Sequence, residues 1–298
     1  MSEKKENLVD KRATGLLIIE VRNSNPNGDP DRESDPRQRQ DGRGEISPVS
    51  FKRKVRDLVE RKTGTVWESI SKQFSPPLDP NKFMISESRE TKLADIRNLN
   101  EEQFTEKFWD GRIFGNTELE KGRNIPVKTG VVQFGLGVSV SPIEVRRMTT
   151  TNPPVEGDKK GGMAPLAYRI VQHGVYCMPF FVNSTAARKT KCTQDDIEIL
   201  LKIIPFAYPH TASYIRSCVE IRHAWYMEHK SALGSCSDFA LIDALTPRRK
   251  GDTDEQRKEN AEKPSTSWDD YDVPTQLLPE LRNKLDEQNG FKDLMNEK

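Results

Sequence analysis

"TGLLIIEVRNSNPNGDPDRES", residues 14–34, starts apolar and ends with nothing that can pack a core. Leu17, Ile19 and Val21 fall on one side of the chain, and Leu16, Ile18, Glu20 and Arg22 on the other. That two-residue period is the signature of a strand. The polar end of the second face predicts that one side of the sheet meets something wet. Asn23, Asn25, Pro26, Asn27, Gly28 and Pro30 then form a turn-rich loop, which is either a solvated connection or a surface that holds a ligand.

"ISPVSFKRKVRDLVERKTG" comes after this loop. Ser47 is a good N-cap and Pro48 suits the first helical position. Phe51, Val55, Leu58 and Val59 recur at helical spacing as a buried stripe, and Lys52, Arg53 and Arg56 cluster on its flank. Residues 65–130 carry Pro76, Pro77 and Pro80 and too few apolar residues for a core of their own, so they read as an insertion. Residues 130–145 alternate and are rich in valine, as a strand does. "LAYRIVQHGVYCMPFFV" (166–182) is a second strand, and 142–167 between them reads as a long hairpin with a glycine-rich, mobile tip. Thr193 and Asp196 frame a capping box for a second helix, whose inward residues are Ile197, Leu200, Leu201 and Ile204. "CVEIRHAWYMEH" (218–229) alternates as a last strand.

The resulting order, β-α-β-β-α-β, defines an α+β fold: a single RRM-like, ferredoxin-like palm with an antiparallel sheet. Both helices are expected on one face, leaving the other free, as RRM-type sheets do for single-stranded nucleic acid. The tail 247–298 is expected as a charged, flexible loop at 247–265 and then docking segments around "WDDYDVP" and the last 20 residues.

The chain has 298 residues, enough for one large domain, with 34% hydrophobic and 31% charged content. Its net charge of +1 hides an asymmetry. Residues 121–230 hold 15 Lys and Arg against 8 Asp and Glu, a local +7, and residues 251–298 hold 7 against 13, a local −6. Local field, not total charge, decides phosphate affinity. No apolar run approaches a membrane span and "MSEKKENLVDKRATG" is charged throughout, so a cytoplasmic location is expected. Cys177, Cys192, Cys218 and Cys236 form no C-x-x-C, and no metal or cofactor is implied.

Enzymatic readings are weaker. Asn23, Asn25, Asn27 and Gly28 mimic the first positions of a calcium loop, but Ser34 stands where a bidentate Glu is needed. Asp29, Asp31 and Asp35 are the carboxylates a metal-dependent nuclease would use, although in so polar a loop they equally serve as turn-formers. His173, His210, His223 and His229 lie far in sequence from that loop, without a nucleophile signature beside them. The basic helix start suits phosphate better, and a folded-over asparagine loop would add amide donors. Arg146, Arg147, Met148 and Met163 would arm the hairpin, cations for backbone and thioethers to wedge between bases.

"NPNGDPD" and then "SFKRKVRD" resembles the CRISPR-associated Cascade backbone subunit, the Cas-seven family, nearest to its type I-C branch and close to type I-B. "DGRIFG" (110–115), "VKTGVVQF" (127–134), "SVSPIEVRRM" (139–148), "MEHKSALG" (227–234) and "WDDYDVP" (268–274) extend the resemblance over nearly the whole chain. The resemblance implies a palm, inserted fingers and a thumb hairpin. It implies a non-catalytic protein that polymerises along CRISPR guide RNA in a filament with copies of itself. The expected partners are the target DNA strand, the large, small and guide-end-binding Cascade subunits, and a recruited helicase-nuclease. By it, Asn25, Asn27, Lys52, Arg53 and Arg56 are guide-backbone contacts. Lys128, Thr129 and Gln133 lie where fingers rejoin palm, and Arg146, Arg147, Met148 and Met163 belong to the thumb. The rival within the group is a metal-dependent or guide-processing endoribonuclease.

Overall fold

The computed structural model describes residues 7–88, 96, 98–116, 128–152 and 164–297, with only the backbone at 150–152 and 164–166. In chain order its main elements are β1 (Ala13–Ser24), β2 (Arg43–Ile46), α1 (Pro48–Glu60), α2 (Thr65–Ser71), α3 (Glu101–Lys107), α4 (Trp109–Phe114), β3 (Val132–Phe134), β4 (Gly137–Pro142), β5 (Val145–Asn152), β6 (Ala164–Val182), α5 (Gln194–Ile203), β7 (Val219–Glu228), α6 (Asp238–Leu245), α7 (Asp254–Ala261) and β8 (Lys292–Asp293).

The strands join in one sheet ordered β8-β7-β1-β6-β4-β2, with β3 and β5 also paired to β6. The pairs β7·β1, β1·β6 and β6·β4 are all antiparallel. Counting the four strands expected from the sequence, their spatial order is 4-1-3-2, which the β-α-β-β-α-β chain order produces when each helical crossover skips one strand. The strand expected at 130–145 is broken. Gly135 and Leu136 separate β3 from β4, and the pairing shifts by one residue between Phe180↔Phe134 and Cys177↔Val138. Such a one-residue slip bends the strand and re-aims the side chains beyond it.

One face of the sheet carries the main core. Leu17, Ile19 and Val21 of β1 pack with Phe51, Val55, Leu58 and Val59 of α1 and with Ile197, Leu200 and Ile203 of α5. Gly15 is required here, because a Cβ would sit 2.0 Å from the Phe180 ring. The other face is not free, contrary to expectation. Leu16, Ile18, Val175, Trp225 and Met227 are covered by Leu241 and Leu245 of α6 and by Tyr271, Leu277 and Leu285. These apolar residues lie in the C-terminal quarter, so its acidic overall charge masked a second core layer.

The 247–265 segment departs from the expected loop in the same way. Thr253 caps α7, and Arg248–Arg249 pairs with Tyr271–Asp272. Tyr271 is buried and its hydroxyl lies 3.0 Å from Ser141 Oγ on β4. Within the 65–130 region, Val66, Trp67 and Ile70 of α2 join the main core, while Phe104, Phe108 and Ile96 form a small satellite cluster. The hairpin arms β5 and β6 pair from Val145↔Val171 to Asn152↔Ala164. Met163, expected on this hairpin, lies outside the described residues.

Candidate nucleic-acid interface

The loop after β1 is built by its own asparagines. Asn25 Nδ2 donates to Ser34 O (2.7 Å) and Asn27 Nδ2 to Gly28 O (2.8 Å). Asn27 Oδ1 accepts from both the backbone N–H and the hydroxyl of Ser47, each at 2.8 Å. Ser47 Oγ in turn accepts from Ser50 N–H as the N-cap of α1. The loop therefore does meet the helix start, but Asn25 and Asn27 are buried and direct their amide donors into the loop itself. They shape the surface; they are not its free donors. Asn25 Oδ1 is buried without a hydrogen-bond partner among the described residues.

The carboxylates of the loop face separate tasks. Asp29 Oδ1 accepts from Asp31 N–H in a local turn, and Asp35 pairs with Arg169 of β6. Among the described residues no group of three or more His, Cys, Asp or Glu is placed to hold a metal ion.

The basic residues of α1 divide. Arg56 is 4% exposed; its Nε donates to Asp110 Oδ2 (3.0 Å) and its Nη1 lies 3.0 Å from Glu87. It is an internal strut between α1 and the insertion, which removes it from the backbone contacts the sequence suggested. Arg53 is held by the Glu87 carbonyl, with Asp57 at 3.7 Å. Lys52 is partly exposed, 4.9 Å above the Phe114 ring, and burial with Arg56 nearby holds its ammonium below the usual lysine value. Lys52 is thus the member of the trio best placed to meet an anion.

"DGR" at 110–112 explains why the insertion stays docked. Asp110 is fully buried and accepts from Arg56, from the N–H and hydroxyl of Ser86 (2.7 and 3.1 Å) and from Glu87 N–H (3.2 Å). A Cβ at Gly111 would approach the Phe104 ring to 2.6 Å. Arg112 donates twice to Asp196 (2.9 and 2.8 Å), and to the carbonyls of Thr105, Glu106 and Lys82 (3.0, 3.0 and 2.9 Å). All five guanidinium N–H groups are used. Asp196 is also the N3 residue of the α5 capping box. One tripeptide thereby ties the insertion to both palm helices.

Lys128 pairs with Glu101 (2.6 Å) and donates to Lys189 O (2.6 Å), next to the Gly115–Asn116 and Lys128–Thr129 pairing. Thr129 and Gln133 are exposed, and Gln133 Nε2 donates to Gly130 O (3.3 Å). Arg146 is exposed against Glu144 (2.9 Å), Arg147 is exposed, and Met148 is 43% exposed opposite Tyr168. The structure therefore places Lys128 and Thr129 on one junction and Arg146, Arg147 and Met148 on one hairpin arm.

Sequence reasoning passed over the turn at 209–216. Tyr214 is 72% exposed and meets Tyr168 edge-on, ring centroids 5.7 Å apart. Arg216 Nε donates to Asn25 O (3.2 Å). Lys54, two residues from Lys52 in the same basic run, is 6% exposed, with Nζ on Thr211 Oγ1 (2.9 Å). The "KRK" run was a signal for Lys54; nothing local in the sequence marked Tyr214 or Arg216.

The second sheet face, expected to be wet at Glu20, is closed there. Glu20 accepts from Arg22 (2.6 and 3.0 Å) and Arg222 (3.0 Å), and His173 Nε2 lies 3.2 Å away. Burial alone would raise its pKa, but His173, Arg22 and Arg222 overcome that and hold it at about 2. His173 Nδ1 lies 2.7 Å from Ser265 Oγ, which gives a Ser-His-Glu sequence of contacts. Ser265 is 5% exposed, and the N–H groups of Thr266 and Ser267 already donate to Asp270 (2.7 and 3.3 Å). With its hydroxyl covered and those donors engaged, the trio acts as a strut that pins the 263–267 segment to the sheet.

The family described as CRISPR-associated protein Cas7 matches residues 11–276, from the start of the palm to beyond Tyr271. This chain belongs to the Cas7 family. No curated protein matches it. A chain of the solved structure "CRISPR RNA-guided surveillance complex, pre-nicking" is 16% identical, with 72% of this Cas7 chain and 77% of that one covered and a TM-score of 0.46. A chain of "CRISPR RNA-guided surveillance complex" is 17% identical over 84% and 80%, with a TM-score of 0.43. A chain of "Cryo-EM structure of the Type III-B Cmr-beta bound to cognate target RNA" is 13% identical over 72% and 60%, at 0.38. Likenesses this loose fix no residue's role in the present Cas7 chain.

Proposed function

We propose that this Cas7 protein is the crRNA-binding backbone subunit of a CRISPR ribonucleoprotein complex, assembling with other Cascade subunits. The single observation that carries this is the family match across residues 11–276, which takes in palm, insertion and hairpin together. The exposed cations and thioether of the hairpin arm, with Lys52 at the start of α1, fit a surface that holds ribose-phosphate without reading bases.

The finer reading rests on the sequence resemblance. Copies stack as a filament on the guide, present it to a target DNA strand, and leave cutting to a recruited helicase-nuclease. The type I-C branch is the subtype proposed. Among the described residues no helix is long and apolar enough to cross a membrane, and we place the complex in the cytoplasm. The protein is proposed to be non-catalytic, because the Asp29 carboxylate is taken by the Asp31 N–H in a turn and Asp35 by Arg169 in an ion pair.

The test is co-expression with a repeat-containing RNA, with negative-stain microscopy and sequencing of the co-purified nucleic acid. A regular filament on guide RNA is expected. A monomeric, RNA-free protein overturns the proposal. Incubation of the complex with complementary RNA and Mg²⁺ is expected to give no products; cleavage lost on Asp29→Ala, Asp31→Ala or Asp35→Ala would instead make it a nuclease.

A further inference from the structure

The turn at 209–216 and the second turn of α1 bring two cations, Lys54 and Arg216, into each other's field. Lys54 Nζ is buried, 5.0 Å above the Tyr208 ring, with the Thr211 hydroxyl as its hydrogen-bond partner. Arg216 gives one N–H to Asn25 O. Among the described residues neither Lys54 nor Arg216 meets a carboxylate within ion-pair distance. Asp57, whose charge acts on Lys54, is shared with Arg53 (3.7 Å). Burial first, then the Arg216 charge, push the Lys54 ammonium down to about 8. A folded protein rarely buries a cation beside another without a counter-charge, because each adds to the cost of the other. An anion arriving from outside relieves both.

The chemistry beside this pair says which anion. Tyr214 opens the same short turn that Arg216 closes, and it is 72% exposed. Tyr168 meets it edge-on, and Met148, 43% exposed, is the cross-strand partner of Tyr168. A flat apolar surface this exposed, flanked by uncompensated cations, matches a nucleotide better than a free phosphate. Arg147 and Arg169 form the next cross-strand pair of the hairpin, on its opposite face, where Arg169 is taken by Asp35.

We infer that Lys54 and Arg216 hold one phosphodiester of a single-stranded RNA while Tyr214, backed by Tyr168, stacks the adjoining base. This rests on the RNA-binding reading above and adds to it a subsite on the 209–216 turn. No covalent step is involved.

The experiment is fluorescence anisotropy of a labelled oligouridylate titrated with the full chain at several salt concentrations. Lys54→Met with Arg216→Gln is expected to lower the magnitude of the log K against log salt slope by ~0.7 per bound protomer, the loss of one phosphate contact on a single strand. Lys54→Arg is expected to keep the wild-type slope. Tyr214→Leu is expected to weaken binding ~5-fold or more with the slope unchanged, as lost stacking does. A purely structural role would lower the melting temperature without moving the slope. Should Lys54→Met fail to fold, Arg216→Gln decides alone, since Arg216 is only partly buried. Wild-type binding with an unchanged slope in the charge variants, or unchanged affinity in Tyr214→Leu, overturns this subsite and leaves guide binding standing. Absence of any wild-type binding overturns the RNA-binding reading itself.

Discussion

Replacing Arg112 by methionine tests whether the insertion is held to the palm by one guanidinium. Arg112 is 7% exposed and its partner Asp196 is fully buried. The substitution leaves that carboxylate facing an apolar side chain, with Thr193 N–H (2.9 Å) the one donor left to it among the described residues, and frees the carbonyls of Lys82, Thr105 and Glu106. Breaking a buried pair by removing one partner costs about 3–5 kcal/mol, mostly for the stranded charge. For 298 residues the unfolding entropy is ~0.6 kcal/mol per kelvin, so the melting temperature should fall by about 5–8 °C. Arg112→Lys should do nearly as badly, because a lysine cannot make the two-point contact to Asp196 and reach three carbonyls at once. Thermal unfolding by circular dichroism reads the shift, and a double-mutant cycle with Asp196→Asn should return a coupling of ~2 kcal/mol. A fall of less than about 2 °C for Arg112→Met, or a coupling near zero, would refute the strut.

Arg56→Ala should lower the melting temperature and leave the salt dependence of RNA binding per folded molecule unchanged, whereas Lys52→Ala should reduce that dependence by ~0.7 with little change in stability. Asn27→Ala should destabilise by about 1–2 kcal/mol in urea titration, because Ser47 loses the acceptor for its N–H and hydroxyl at the cap of α1. Glu20, held at about 2 against an ordinary 4.5, contributes stability that is fully present above pH 4.5 and lost as pH falls toward 2. The difference in unfolding free energy between wild type and Glu20→Gln should therefore shrink by ~3 kcal/mol over that window. A difference that stays constant with pH would sever Glu20 from His173 and the two arginines.

Periodicity made the palm legible. The alternation in 14–22 and 218–229, the Ser47 and Thr193 caps and the stripe of α1 are local signals, each set by contacts a few residues apart, and each appears in the structure where the sequence put it. On α5, by contrast, the buried apolar residues are Ile197, Ile199, Leu200 and Ile203, and Leu201 is only partly buried. The chain order gave the antiparallel palm, and the structure added its spatial order, 4-1-3-2. Charge, by contrast, misled in both directions. Glu20 and Arg22 suggested a wet face, and Arg56 a phosphate contact, yet Glu20 and Arg56 answer to partners far away in sequence: His173 and Arg222 for the one, Asp110 and Glu87 for the other. A charged side chain carries no record in its own neighbourhood of whether a counter-charge will fold against it.

The order of the palm's elements and the family are written in spacing and in motifs, which can be read without knowing any contact. Which cations are paired and which are left over was settled by folding. Arg56 and Arg112 are neutralised by acids brought to them by folding, while Lys54 and Arg216, 162 positions apart in one chain, are brought to each other. The physical reason is that ion pairing and desolvation depend on distances between remote residues, and those distances exist only once the chain has closed on itself.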